Sequence, residues 1–317
     1  MSKPFCVSII ICTCNRAEHL RRTLDSMGQI CVPGALTTEL IVVDNASTDN
    51  TEEVVKACFL PGIEVRYLHE PVQGQCHARN AGIAAAKGQI FLFTDDDVRP
   101  PKNWIEGMCR PILTGEMEAV AGGVRFAPHL NREWMQPKHR SVLASTERLD
   151  PHSPEDMIGA NMAFSRQVLE KVPQFDTDLG PGALGFIDDT LFSFQLKEAG
   201  YRIGAALDIE VEHHFQEERL LRTSFLQTAK KMGRSSAYLA YHLSQNEPKY
   251  LLLHLLKLKM ELIYWEAKYR GRTQSVEGIS LKELMLVTLI HFYKYLHSER
   301  KKNRYYPKHG LLKYVTQ

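Results

Sequence analysis

The chain has 317 residues, 44% of them hydrophobic and 24% charged, with no repeat or low-complexity tract, a composition that allows a substantial buried core. The net charge of +2 conceals an asymmetry: residues 1–218 carry 20 Lys and Arg against 31 Asp and Glu, and residues 219–317 carry 19 against 6, so an acidic body of net −11 precedes a basic tail of net +13. No apolar stretch reaches the ~18 residues of a membrane span, and the short apolar run near the amino terminus is followed by polar, folded-looking sequence without a small-residue cleavage site, which does not read as a signal peptide.

Residues 7–12, VSIIIC, predict a first strand, and Leu20, Leu24 and Met27 at helical spacing predict the helix after it, with Asn15 as a cap. The cycle repeats with a strand over residues 40–44 that ends in Asp44, a turn over 45–49 and a helix over 51–59. A third strand is expected at 65–69, a small-residue helix from Gly74 to Lys87 closed by Gly88, and a fourth strand at 90–94 that runs into Asp95-Asp96-Asp97. This alternation predicts βαβ units and an α/β, Rossmann-like, mainly parallel sheet flanked by helices. In such a sheet ligands bind where the strands end, so Thr13 to Arg16, Asp44-Asn45, Arg79-Asn80 and the three aspartates are expected to meet in one crevice. Beyond 219 the pattern is helical, with leucines and aromatics interrupted by Lys, His and Glu. Residues 219–317 are therefore expected as a basic amphipathic extension to a 1–218 body, either lying on an anionic membrane surface or packed on that body with the basic side solvated.

The seven cysteines all lie in the first third of the chain at irregular spacings, which suits free buried thiols and a reducing compartment, the cytoplasm. Three consecutive aspartates repel one another unless a positive charge neutralises them. Either a divalent cation, Mg²⁺ or Mn²⁺, does so while bridging to the phosphates of a nucleotide, or the run is a solvated loop or helix cap.

The segments VSIIICTCNR (7–16), IVVDNASTDNT (41–51), ARNAGIAAAKGQIFLFTDDDV (78–98), GANMAF (159–164) and GFIDDTLFSFQLKEAGYRI (185–203) resemble, in order and spacing, the family-2 inverting glycosyltransferases with the A-type nucleotide-sugar-binding fold. The resemblance covers about residues 5–216. It implies that Asp44 reads the nucleobase, with Thr13, Asn15 and Arg16 in the same pocket, and that Arg79 lies near the uridine and diphosphate. Asp95 and Asp97 match the DxD motif, Asp97 being the metal ligand, and Asp96 between them is on the side of the donor ribose or sugar. Asp188-Asp189 stands where the family usually has Glu-Asp, which makes Asp189 the general base and Asp188, one methylene short, an acceptor-side residue. His213, chosen over His214, matches a third metal position, and Asn161 lies on the strand that lines the acceptor side.

The resemblance thus implies transfer of a sugar from a nucleotide-sugar donor, UDP-linked by the family's commonest usage, to a hydroxyl of a saccharide, lipid or other acceptor. Two other readings stay open: a non-catalytic nucleotide-sugar-binding protein docked on a membrane, and a sugar-phosphate nucleotidyltransferase, although residues 12–16 are not the Gly-rich phosphate loop the latter needs. Gly180 to Gly185 satisfies G-x-G-x-x-G but contains Pro181 and follows polar sequence, so it reads as a loop beside the acceptor site rather than a dinucleotide fingerprint. The basic cluster of residues 300–304 has no accompanying fold motif, and no nucleic-acid partner is expected.

Overall fold

The structure, a computed structural model, describes residues 5–154, 156–243, 250–268 and 277–302. They fall into two compact units, one drawn from residues 1–131, 144–177 and 188–215, the other from 132–143, 178–187 and 216–317. Two short segments from within the first 218 residues therefore group with the C-terminal helices.

The first unit is built on one eight-stranded sheet of β1 (Phe5–Thr13), β2 (Leu36–Asp44), β3 (Ile63–His69), β4 (Ile90–Asp95), β5 (Val98–Arg99), β6 (Ala119–Phe126), β7 (Asn161–Ser165) and β8 (Ile203–His213). The strand order is β3-β2-β1-β4-β7-β6-β8-β5. The half from β3 to β4 is wholly parallel. Ile9, Ile10 and Ile11 are all fully buried, as a strand covered on both faces by helices requires. Helices α1 (Ala17–Met27), α2 (Thr51–Lys56) and α3 (Gln75–Ala85) make the crossovers. Gly82 lets α3 approach the sheet, since a Cβ there would come within 2.7 Å of the Ile10 side chain.

The mainly parallel sheet expected from the sequence is present, but its other half is mixed: β7 runs antiparallel to both β4 and β6, β6 is parallel to β8, and β5 is antiparallel to β8. Helix α4 (Trp104–Leu113) packs behind this half, and α5 (Pro137–Val142) belongs to the second unit. Helix α6 (Asp188–Glu198) returns to the first unit. Helix α2 stops at Lys56 rather than 59, and Phe59 beyond it is exposed. The cysteines correct the sequence reading in part: of the six whose surroundings are described, only Cys76 and Cys109 are buried, and Cys31 is exposed.

The second unit is dominated by α7 (Arg222–His242), α8 (Leu251–Lys268) and α9 (Leu281–Lys302). Gly233 of α7 meets the backbone of Thr288 and Phe292 on α9 so closely that no side chain fits, and buried Glu283 takes the guanidinium of Arg222. The segment 178–187 folds on itself, Gly185 donating its N–H to the Gly180 carbonyl, with Gly180, Gly182 and Gly185 all left-handed. No described helix is long and apolar enough to cross a membrane. In the 300–304 cluster, residues 303 and 304 lie outside the described residues.

Besides its backbone ladders, the mixed half of the sheet is tied to α4 by one side chain. Asn161, at the start of β7, is fully buried; its Oδ1 accepts from Trp104 Nε1 at 2.8 Å, and its Nδ2 donates to the carbonyls of Gly123 and Ile209, each at 2.8 Å. Gly122 is required beneath it, because any Cβ there would strike the amide. The expectation that Asn161 faces an acceptor is therefore corrected: every polar atom of its amide is spent joining α4, β6 and β8. Asn161→Ala leaves three buried polar groups without partners and is expected to cost about 3 kcal/mol or more, read as a lowered midpoint of chemical unfolding.

Candidate active site

The register of the parallel strands sets the site. Thr13 at the end of β1 lies opposite Asp44 at the end of β2, and Cys12 lies opposite Asp95 at the end of β4. On the far side Thr94 pairs with Asn161, and Val98 of β5 pairs with His213 of β8. The strand order reverses between β1 and β4, the switch point at which α/β sheets open a crevice. Around this edge Thr13 and Arg16 meet the aspartate run, and Asn45 meets the start of α3.

Local structure fixes each loop. Asn15 adopts a left-handed conformation (φ 54°), which asparagine tolerates, and its Oδ1 accepts from the Thr48 N–H at 2.7 Å while its own N–H donates to Ser47 Oγ. The loop after β1 is thereby joined to the loop after β2. Asp44 is buried, and both its oxygens are engaged, one by the Ser47 N–H and the other by Tyr67 Oη at 2.8 Å. Asn45 donates to the Glu70 and Val72 carbonyls and accepts from the Gly74 N–H, so it ties the end of β2 to the start of α3.

Arg16 is the cation of the aspartate cluster. It reaches Asp96 Oδ1 and Asp97 Oδ2, each at 2.6 Å, and Thr13 Oγ1 donates to the other oxygen of Asp96 at 2.6 Å. Burial raises the Asp96 carboxyl in spite of Arg16, with Asp97 adding to the rise, and burial with Asp97 nearby raises Asp95 too. For Asp97 burial also works upward, but the His213 ring and Arg16 outweigh it and hold the group well below the usual carboxylate range.

His213 Nε2 stands 3.4 Å from Asp97 Oδ1, too long and poorly directed for a good hydrogen bond. Both residues are almost wholly buried, yet Asp97 Oδ1 and both ring nitrogens of His213 lack hydrogen-bond partners. A carboxylate oxygen and an imidazole nitrogen that face each other unpartnered are the donor types that fit a divalent cation. His214, by contrast, is engaged with Glu212 at 2.7 Å. Among the described residues no group of three or more His, Cys, Asp or Glu side chains is arranged to hold a metal. Asp97 and His213 could therefore supply only two ligands, with water and a bound ligand completing the shell.

The third component lies at the start of α6. Asp188 is buried in an ion pair with Arg79, itself buried, with its guanidinium 5.2 Å from the Phe175 ring centre. The amide of Asn80 exchanges two hydrogen bonds with the Phe175 backbone and keeps that ring in place. Gly159 is needed because a Cβ there would collide with the Arg79 guanidinium. Asp189 Oδ2 accepts from the Gly159 N–H at 2.9 Å, Thr190 reaches Asp156, and Ser193 accepts from the Met157 N–H, so α6 is fastened to the 156–159 segment. Burial first and Asp188 second push the Asp189 carboxyl up to about 7, against the opposing pull of Arg79 and the Gly159 N–H. A carboxyl poised there can exchange a proton at neutral pH.

The site residues read from the sequence thus form two groups, Thr13, Arg16, Asp95, Asp96, Asp97 and His213 in one, Arg79, Asp188 and Asp189 in the other, with Asn15 and Asp44 at the β2 end and Asn161 withdrawn into the core. Tyr67, Gly159 and Phe175, which hold these groups, were not singled out as site residues, and Asn45 was expected at the crevice without a role. Asn45 and Gly159 sit inside the quoted segments, but only the fold tells what they touch.

The profile of the family described as Glycosyl transferase family 2 matches residues 8–173. Glycosyltransferase AglE of Haloferax volcanii is 28% identical over 209 residues, 65% of this chain and 66% of that protein. An uncharacterized glycosyltransferase, alr2836, of Nostoc is 34% identical over 185 residues, 54% of each chain. The chain thus spans two thirds or less of the length of these curated relatives. Among solved structures, the mannosyltransferase PcManGT of Pyrobaculum calidifontis, in complex with GDP-Man and Mn²⁺, superposes with a TM-score of 0.62 at 18% identity, covering 94% of this chain and 87% of that one. S. aureus TarS 1-349 in complex with UDP-GlcNAc gives a TM-score of 0.51 at 15% identity, covering 95% and 93%. These two likenesses are of fold, the A-type glycosyltransferase architecture, whereas the family profile rests on the sequence of more than half the chain. The chain belongs to glycosyl transferase family 2.

Proposed function

We propose that this protein is an inverting glycosyltransferase that uses a divalent cation, Mn²⁺ or Mg²⁺, to move a sugar from a nucleotide-sugar donor to a hydroxyl of a saccharide or lipid-linked acceptor in the cytoplasm. The observation that carries the reading is the contrast between two buried carboxylates: Asp97 Oδ1 and the His213 ring face each other without hydrogen-bond partners, whereas Asp189 accepts from the Gly159 N–H with its carboxyl raised to about 7. One is suited to a cation and the other to a proton, the division of labour that a single displacement needs.

In this mechanism Asp189 removes the acceptor hydroxyl proton as the oxygen attacks the anomeric carbon. The new carbon–oxygen bond forms as the bond to the diphosphate breaks, and the electron pair leaves with the diphosphate. Asp97 and His213 would hold the cation, which neutralises charge on the leaving group. Asp44, Thr13 and Asn15 bind the nucleoside, Arg16 and Arg79 add positive charge toward the diphosphate, and Asp95 and Asp96 face the donor. Asp188 orients Arg79 and the start of α6 beside the acceptor. Structures of the same fold hold GDP-Man and UDP-GlcNAc, which supports a nucleotide-sugar donor; a UDP-sugar is our first choice.

Asp189→Asn is expected to lower kcat by about a thousandfold, within the usual range for loss of a general base, while donor affinity measured by calorimetry stays within about twofold. Unchanged turnover in that variant would overturn the assignment. The pH dependence follows from the same group. A base acts only when deprotonated, so kcat/KM should rise with pH to about 7 and fall about tenfold per unit below it. Asp96 is raised as well, so the profile is measured beside the pH dependence of donor binding; a limb seen in transfer but not in binding belongs to Asp189.

EDTA should abolish transfer and Mn²⁺ or Mg²⁺ should restore it, with His213→Ala needing about ten to a hundred times more metal for half-maximal activity. Full activity after exhaustive chelation would remove the cation from the mechanism.

A further inference from the structure

Among the described residues, six of the twelve large hydrophobic side chains that stand out into solvent lie on one helix, α8: Leu252, Leu253, Leu256, Met260, Ile263 and Tyr264, each 58% to 65% exposed. At 100° per residue they form a single stripe about 120° wide. The opposite side of α8 is the one packed on α9, where Glu261 pairs with Lys282 at 2.8 Å, Trp265 lies under the same lysine, and His254 stacks on Tyr293. The stripe therefore faces away from the helix that α8 rests on.

The borders of the stripe are basic. The same projection places Lys259 along one edge, with Glu266 just outside it, and Lys257 and Lys268 along the other. The Lys268 ammonium lies 5.7 Å from the Tyr264 ring, at the boundary between apolar and polar faces. Residues 219–317 carry a net charge of +13. A second copy of the same face would bring two such charges together, so self-association is opposed, whereas an anionic surface is attracted. The helix is 18 residues long, roughly 27 Å, and does not qualify as a span, so its apolar side can enter a bilayer only by lying along it.

We infer that the exposed face of α8 is a docking surface for an anionic lipid bilayer, with Leu252, Leu256, Met260 and Ile263 in the acyl boundary and Lys257, Lys259 and Lys268 at the phosphates. This surface is independent of the catalytic reading, since none of its residues is in the site described above.

The full chain is sedimented with phosphatidylcholine vesicles containing about 30% phosphatidylglycerol, and with pure phosphatidylcholine vesicles. Binding to the anionic vesicles is expected, weakening with salt and at least about tenfold weaker on the neutral ones. Lys257→Gln/Lys259→Gln/Lys268→Gln should lose about a hundredfold, and Leu256→Glu/Met260→Glu/Ile263→Glu at least as much, with unchanged circular dichroism and unfolding midpoint. Failure of the wild type to sediment with anionic vesicles, or wild-type binding by the glutamate variant, overturns the inference. So does a wild-type dimer, seen by light scattering, that the glutamate variant abolishes, because the face then belongs to a second copy. Should the glutamate variant unfold, Leu256→Trp decides: a blue shift of its emission over wild type on adding anionic vesicles supports insertion, and an unshifted emission overturns it.

Discussion

Three adjacent carboxylates withdrawn from water at the end of β4 set the terms for the catalytic half of this molecule. Two unit charges 4 Å apart repel by about 4 kcal/mol at the effective dielectric of a protein surface, so the run is tolerable only if its surroundings answer it. Arg16 bridges Asp96 and Asp97, Thr13 donates to Asp96, and His213 is brought to Asp97 from the other end of the sheet. One guanidinium does not balance three carboxylates. The residual demand is met by protons on Asp95 and Asp96, both raised, or by an added cation, and the unpartnered atoms of Asp97 and His213 mark where that cation fits.

The second carboxylate pair answers the same problem differently. Asp188 pairs with Arg79 Nη1 in a buried ion pair, and Asp189 beside it accepts from two backbone N–H groups, those of Gly159 and Thr190. A helix N-terminus favours the ionised form of a carboxylate. At Asp189 burial and the neighbouring charge prevail over that field, which is why the group comes to rest near neutrality. The framework around it is closely packed: Phe175 lies under Arg79, Asn80 holds the Phe175 backbone, and residue 159 has no side chain.

Much of this was legible in the residues themselves. The alternation of apolar runs and helical spacing from 7 to 95 located the parallel half of the sheet, because a doubly covered strand must be apolar throughout and a crossover helix amphipathic. The quoted segments identified the family without any coordinates. The mixed half was not legible: β7 is buried on both faces and reads the same in either direction, and the register shift at Gly122/Gly123 in the β6–β8 pairing leaves no periodicity to follow.

By itself, then, the sequence determined the α/β class, the family and the candidates for chemistry, since these depend on local pattern and residue type. Tertiary structure decided which candidates are spent inside the fold. Asn161 is consumed by hydrogen bonds from strands and a helix up to 57 positions away, His214 goes to Glu212 while His213 turns to Asp97, and the apolar side of α8 is divided between α9 and solvent. The reason is physical: a polar atom or an apolar face is the less available for function the more its neighbours satisfy it, and neighbours are set by long-range packing that no local window of sequence contains.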